Sequence, residues 1–378
     1  MKVLSLFDGM ACGMIAMQLA VVDVESYDAY EIDKYAIKTA QHNFPMIKEH
    51  GDVFDSDFTQ YDGVDFLIGG SPCTYWSIAQ TKNRETVASG MGWELFSQYV
   101  RALHEAKPKY FIYENNKSMS KAIRASIDET FGFEAVPINS ELVSAQNRQR
   151  LYWVGKQNPD GTYSKVDVEQ PEDRGILLRD ILENGVAWQE KSYNLTTRCC
   201  GAIPEDTLKR YRHTMVAEPV NITQSPGCAE VLNVNPCGHG MNGAVIHCDG
   251  KCRTLTTNKG EGPKIIEPVC LRIEFEDDDK PIKAVGKDGK EITIYEVCDG
   301  KITIKGKQYP IKLKDGYYII RKLTVSECKR LQTVPEWYEF LVSNSQAYKM
   351  LGNGWTCEVI AHILKSLRSG AKMDGGED

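Results

Sequence analysis

The chain has 378 residues, 42% of them hydrophobic, and its 52 Asp and Glu against 45 Lys and Arg give a formal charge of −7. That length exceeds one ordinary domain and can bury a large core, so two domains are expected without help from disulfides. No apolar run reaches membrane-spanning length and Asp8 interrupts the first apolar run too early for a secretory signal, so we expect a cytoplasmic protein with reduced, mostly buried cysteines.

From Lys2 to about Gly155, short β-prone runs alternate with amphipathic segments, the pattern of βαβ units around a largely parallel sheet. Strands are expected at Val3–Leu6, Tyr27–Glu31, Asp65–Ile68, Tyr110–Tyr113 and Leu151–Val154. The first is followed by Phe7-Asp8-Gly9-Met10-Ala11-Cys12-Gly13, whose small residues let a ligand approach backbone N–H groups at a helix N-terminus. Glu31 follows about twenty residues on, where an acid can hydrogen-bond the ribose hydroxyls of an adenosine, and Asp52 is placed to read an adenine amino group.

The apolar run Val64–Ile68 leads directly into Gly69-Gly70-Ser71-Pro72-Cys73, at the carboxyl edge where doubly wound sheets place their sites. A lone cysteine is usually a small buried hydrophobe, so Cys73 gains meaning only from partners. Helical spacing through Leu95, Tyr99, Leu103 and Ala106 stops at Pro108, and the next strand ends in Glu114-Asn115-Asn116. Gln146-Asn147-Arg148-Gln149-Arg150 then precedes a further strand, with Arg148 and Arg150 on one side because strand neighbours alternate. A thiol, a carboxyl and two guanidiniums are thus expected at one rim.

Beyond about Asn158 the chain changes to short β-prone runs separated by Gly, Pro and Asn, with a weak self-similarity among 193–197, 220–223 and 253–257. From Leu271 to Ile320 the pairs Asp288-Gly289, Asp299-Gly300 and Asp315-Gly316 punctuate alternating runs, which predicts a meander of hairpins. Eight Lys and Arg meet six Asp and Glu between Ser192 and Lys264, a mildly positive stretch in an acidic chain. None of the 12 cysteines forms a Cys-x-x-Cys pair, and Cys237, His239, His247, Cys248 and Cys252 fit no common zinc spacing, so no metal is expected. Helical periodicity returns near Thr324 and from Gln346 to Leu367.

Taken with Gln346-Ala347-Tyr348-Lys349-Met350-Leu351-Gly352-Asn353-Gly354-Trp355 and with Arg321-Lys322-Leu323-Thr324 and Glu327, the Ser-Pro-Cys and Glu-Asn blocks resemble the carbon-5 cytosine DNA methyltransferases, in that family's order. The chain departs from the pattern at Asn116, where the family usually has Val, and at Gly354. The resemblance covers about two thirds of the chain and looks bacterial or phage in layout. It implies an α/β, doubly wound, mostly parallel sheet of the class I S-adenosylmethionine-dependent type, with a smaller β-rich target-recognition domain. We place the catalytic and cofactor domain at residues 1–157 and 318–378 and the target domain at 158–317.

The resemblance further implies that Cys73 attacks carbon 6 of an extruded cytosine, that Glu114 donates to ring nitrogen 3, and that Arg148 and Arg150 hold the base carbonyl and the Glu114 carboxylate. S-adenosylmethionine is then expected to meet Phe7, Asp8, Gly9, Ala11, Gly13, Glu31, Ile32, Asp52, Val53, Pro72, Asn353 and Trp355. Duplex DNA is expected to meet Ser77, Gln146, Arg198, Arg212, Gln224, Arg253 and Asn258. A monomer is expected, with a cognate restriction endonuclease as the one candidate protein partner. An RNA-directed relative would carry a Cys-Phe-Thr signature, which is absent here.

Overall fold

The computed structural model describes residues 1–78, 84–220, 230–233, 244–246, 282–285 and 291–374. The chain divides into two compact units, the first made of Met1–Ile181, Lys191–Cys200 and Thr324–Asp378, the second of Leu182–Glu190 and Gly201–Leu323.

The first unit begins with β1 (Lys2–Leu6), α1 (Cys12–Leu19), β2 (Ser26–Tyr30), α2 (Lys34–Asn43), β3 (Lys48–Glu49) and β4 (Phe66–Gly69). It continues with α3 (Met91–Ala106), β5 (Tyr110–Asn116), α4 (Lys121–Phe131), β6 (Val136–Asn139), β7 (Gln149–Gln157), β8 (Tyr163–Lys165) and the single turn α5 (Leu178–Ile181). Strand order is β3-β2-β1-β4-β5-β7-β6, with β8 beside β7. Pairing is parallel from β3 through β5, whereas β7 runs antiparallel between β5 and β6.

Local chemistry sets several of these boundaries. Asp33 and Ser120 accept backbone N–H groups at the starts of α2 and α4, and Gly132, at φ 79°, ends α4 in the left-handed conformation that favours glycine. The face of α3 buries Phe96, Tyr99 and Leu103 against β4 and β5, where Phe96, Tyr99, Tyr113, Phe131 and Trp153 form one aromatic core. Tyr99 and Tyr113 rings lie 4.8 Å apart and Tyr113 and Trp153 5.6 Å apart, the spacing of tilted aromatic pairs. The Tyr99 hydroxyl donates to Leu67 O at 3.2 Å and Ile112 O at 3.0 Å, so this buried polar atom is satisfied by the two strands that carry the site.

The second unit contains α6 (Pro204–Arg210), β9 (Met215–Val220), a two-stranded pair β10 (Glu230–Asn233) and β11 (Ala244–Ile246), and β12 (Ile282–Val285). There follow β13 (Glu291–Cys298), β14 (Lys301–Ile304), β15 (Lys307–Pro310) and β16 (Gly316–Lys322). Its sheet runs β15-β14-β13-β16-β9, with β12 also on β13, over a core of Ala217, Val297, Ile302, Ile304, Ile311 and Tyr318. Asp299 and Gly300 have φ of 51° and 67°, as a two-residue turn between β13 and β14 requires. Lys305-Gly306, at 50° and 73°, makes an equivalent turn that the sequence reading did not pick out. The Lys287–Gly289 turn lies outside the described residues, although its flanks β12 and β13 pair antiparallel. The expected meander is corrected at Asp315-Gly316: β16 leaves β15 and pairs with β13 and β9 instead.

The first unit closes with α7 (Val325–Leu331), α8 (Asn344–Asn353) and α9 (Cys357–Asp374), the last packed on α1. Thr324 and Glu327 form a reciprocal capping box, which explains the Thr-x-x-Glu spacing seen in the sequence. Among the described residues no helix is long and apolar enough to cross a membrane.

Candidate active site

Cys73 opens a single helical turn just past β4, half-buried, and its thiol is unbonded to any other cysteine. The turn is pinned from two directions. The Cys73 carbonyl accepts the N–H groups of Trp76 at 3.1 Å and Ser77 at 3.0 Å, and more distantly the Asn116 side chain at 3.5 Å. Asn115 donates to Ser71 O at 3.1 Å and to the Tyr113 hydroxyl at 3.2 Å, and that hydroxyl lies 2.6 Å from Ser71 Oγ. Thus the Asn115-Asn116 pair ties the cysteine loop to β5, and the unusual Asn116 joins that network, its Oδ1 accepting from Ser118 at 2.7 Å.

Glu114 lies within β5, nine-tenths buried, and each carboxylate oxygen has its own partner. Arg150 Nε lies 2.9 Å from Oε1, and Trp355 Nε1 donates to Oε2 at 3.0 Å. Gly70 permits this arrangement, because a Cβ there would stand 2.6 Å from the Glu114 carbonyl and 3.0 Å from Oε2. Gly70→Ala is therefore expected to displace Glu114 and lower kcat about 10²-fold, and, because the clash is with backbone, to cost about 1–3 kcal/mol of stability as well, measured by initial rates and thermal melting.

Arg148 reaches a different set of atoms. Its guanidinium donates to Asn194 Oδ1 at 2.9 Å, Leu195 O at 3.1 Å, Gly352 O at 3.3 Å and Gly354 O at 2.8 Å. Residues 191–200 are thereby drawn to the first unit, helped by Gln146, whose Oε1 accepts the Leu195 N–H at 2.8 Å. Glycine at 352 lets the segment approach, since a Cβ would lie 2.5 Å from Thr196 C. Burial, and then the charge of Arg150, pull Arg148 down to about 10, against Glu114 and Cys73, which favour its charged form. It stays a cation at neutral pH, and these influences place Cys73, Glu114 and both arginines within electrostatic reach at one edge of the sheet. Arg148→Met strands four acceptors, so we expect a loss of at least about 3 kcal/mol, seen as a Tm fall of roughly 6 °C or more.

The cofactor corner is built from backbone as much as side chain. Phe7, Gly9 and Ala11 all have positive φ, at 58°, 62° and 59°, in the turn that leads into α1. Glu31 accepts the N–H groups of Gly9 at 2.9 Å, Ile32 at 2.8 Å and Asp33 at 2.8 Å, which fixes its carboxylate against this turn. Gly13 is required for packing, because a Cβ would meet Ile68 Cδ1 at 2.3 Å. Asp8 faces inward, its Oδ1 accepting from Ser5 and Tyr27, both at 2.6 Å. Burial, countered in part by those bonds, pushes Asp8 up to about 6. Ile32 is 74% exposed and available to a flat ligand, whereas Val53 is buried in the core while its neighbour Phe54 is exposed. Asp52 and Pro72 are exposed, as is Asn353 at the end of α8, while Trp355 sits at Glu114.

The residues expected at DNA are spread out. Ser77 is half-buried next to the cysteine turn, and Arg198 and Arg212 are exposed, in the first and second units respectively. Gln146 is fully buried and its amide also donates to Leu331 O at 3.1 Å, so its side chain presents nothing to a nucleic acid. Gln224, Arg253 and Asn258 lie outside the described residues, as does the Cys237–Cys252 cluster. Sequence reasoning missed the Trp355–Glu114 bond, the Asn194 contact to Arg148, and Glu49, a half-buried acid on β3 whose carboxylate oxygens are shielded from solvent.

A parallel sheet with one reversed strand, a loop cradling an acid-tipped second strand, and a thiol beside a carboxyl–guanidinium pair define a class I S-adenosylmethionine-dependent methyltransferase. The chain belongs to the C-5 cytosine-specific DNA methylase family, whose model matches residues 1–369, and it is thereby a DNA (cytosine-5-)-methyltransferase. It is 28% identical to the orphan methyltransferase M.SPRI of Bacillus phage SPR, with 97% of each chain aligned. It is 26% identical to the Type II methyltransferase M.NlaX of Neisseria lactamica, over 97% of this chain and 96% of that one. Among solved structures, Entamoeba histolytica EhMeth superposes with a TM-score of 0.53 at 12% identity, covering 98% of both chains. Spodoptera frugiperda DNMT2, as a triple mutant, gives 0.53 at 17% identity, covering 97% and 99%.

Family membership implies S-adenosylmethionine as methyl donor. The corner suits it: three buried carboxyl oxygens, Asp8 Oδ2 and both of Glu49, have no hydrogen-bond partner among the described residues, and the donor brings hydroxyl and ammonium groups.

Proposed function

We propose that the chain methylates carbon 5 of a cytosine rotated out of duplex DNA, with Cys73 as a transient covalent nucleophile. The observation that carries this reading is the half-buried thiol held at the same sheet edge as a Glu114 carboxyl engaged by Arg150 and Trp355. Carbon 5 of cytosine is too weak a nucleophile alone. Cys73 Sγ adds to carbon 6 while Glu114 places a proton on ring nitrogen 3, so the ring becomes an enamine rather than an anion. The bound donor supplies an electrophilic methyl group on sulfonium. Return of the ring-nitrogen proton to Glu114 and loss of the carbon-5 proton to a base then expel Sγ as thiolate and restore aromaticity.

In this reading Arg150 and Trp355 orient the Glu114 carboxyl, and Arg148 holds in place the segment and the α8 end beside them. Glu31, Asp52, Ile32 and the Phe7–Gly13 turn hold the donor's adenosine. Extrusion of the base costs a few kcal/mol, and we assign its compensation to the β-rich part of the chain, residues 158–317, with Arg198, Arg212 and Ser77 on the DNA. The enzyme then acts as a cytoplasmic monomer on double-stranded DNA. The relatives named above include both an orphan and a Type II enzyme, so a restriction partner belongs to this proposal only if the host encodes one of matching site.

Incubation with duplex plasmid, transfer RNA and methyl-tritiated donor tests the assignment. Label in plasmid 5-methylcytosine is expected. Label confined to transfer RNA, or none in either, would overturn it.

A further inference from the structure

Three carboxyl groups meet near the ends of neighbouring strands: Asp8 after β1, Glu31 after β2 and Glu49 on β3. Ser5, Ala29 and Glu49 occupy one row across these strands, since Ser5 pairs with Ala29 and Ala29 with Glu49. Ser5 donates to Asp8, so the Asp8 carboxyl lies at one end of the row and Glu49 at the other. Ala29 is the middle member of that row, and Tyr27, two residues before it on β2, reaches Asp8 from the same face. The Asp8 charge weighs on Glu49 more than the Glu31 charge does, as two carboxyls facing across a small residue require.

Among the described residues nothing on neighbouring elements neutralises the pair. On β3, His50 is taken by Asp28 at 2.8 Å and Lys48 is exposed. From β2, Tyr27 donates to Asp8, while Glu31 is occupied by three backbone amides. From the segment before α8, Tyr338 donates to Met10 O. Among the described residues no Lys, Arg or His pairs with Asp8 or Glu49, and Asp8, nine-tenths buried, keeps Oδ2 without a partner. Two buried carboxyls so placed cannot both ionise cheaply, so the pair holds a proton at neutral pH. Burial first, then Asp8 and Glu31, push Glu49 up to about 8.

We infer that Glu49, acting with Asp8, is a specificity-determining residue of the cofactor site: the pair loses a proton to solvent when the cationic methyl donor binds and keeps it when the neutral-sulfur product binds. This rests on the cofactor reading above. The donor's sulfonium favours the ionised pair and the product's thioether does not, so ionisation is linked to the charge of the ligand. The linkage favours donor over product, and it is largest between pH 6 and 8, the levels to which Asp8 and Glu49 are raised.

Calorimetric titration of the whole protein at pH 7 in two buffers of different ionisation enthalpy gives protons released per ligand bound. Wild type is expected to release more with S-adenosylmethionine than with S-adenosylhomocysteine. Glu49→Gln is expected to abolish that difference and to narrow the donor-to-product affinity ratio about fivefold. Equal proton release for the two ligands in wild type would sink the inference whether or not the variant folds, as would an unchanged difference in a folded Glu49→Gln. If neither ligand binds wild type, it is the cofactor reading that fails.

Discussion

Cys73→Ser is expected to reduce methyl transfer to the no-enzyme background. A serine hydroxyl at neutral pH offers almost no alkoxide, and among the described residues no basic side chain hydrogen-bonds the side chain at position 73 to generate one. The fold should be unaffected, because the thiol is half-buried and the backbone bonds of its turn remain. The covalent step has its own readout. Wild type mixed with duplex containing 5-fluorocytosine should form an adduct that survives denaturant, since fluorine blocks the final elimination. An active enzyme that yields no such adduct would remove Cys73 from the mechanism.

Glu114→Gln should be nearly as severe, with kcat reduced by about 10²–10⁴ while donor affinity is retained. The amide keeps the shape and can still accept from Trp355, but it cannot deliver a proton to ring nitrogen 3. It also leaves Arg150, 8% exposed, without its carboxylate, so some stability is lost as well. Melting temperature and donor binding by calorimetry separate the two effects. A variant that turns over at wild-type rate would show that the proton comes from elsewhere.

These outcomes depend on contacts that were only partly legible in the sequence. The five expected strands are all present, because β-branched and aromatic runs bounded by Gly, Pro and Asp report local burial directly. Asp299-Gly300 was readable for the same reason: its two positive-φ positions are a local demand. Lys305-Gly306 satisfies the same demand with a less telling first residue. Asp315-Gly316 looked alike yet does not form a hairpin, since the partner of β16 is chosen by the core around Tyr318 and Val297, far away in sequence.

The site divides in the same way. Cys73 and Glu114 follow apolar runs and could be placed at a sheet edge from periodicity alone. Arg148, Gln146 and Trp355 could not, because their partners come from residues 194–195, 331–332, 352–354 and 114, and side-chain direction is fixed only once those segments pack. Glu49 gave no local signal either. A lone acid on a two-residue strand reads as surface, and only its register with Ala29 shows that it is turned inward.

The reversal of β7 also limits how the protein can tolerate change. Asn116 pairs with Arg150 and Tyr113 with Trp153, so one strand carries both the guanidinium at Glu114 and an indole of the aromatic core. An extra residue inserted inside β7 would rotate one of these by half a pleat relative to the other, whichever side of the insertion kept its pairing. Length variation should therefore be absorbed in the connections around β7 and excluded from the strand itself, making its residue count a conserved quantity even where its residue types drift.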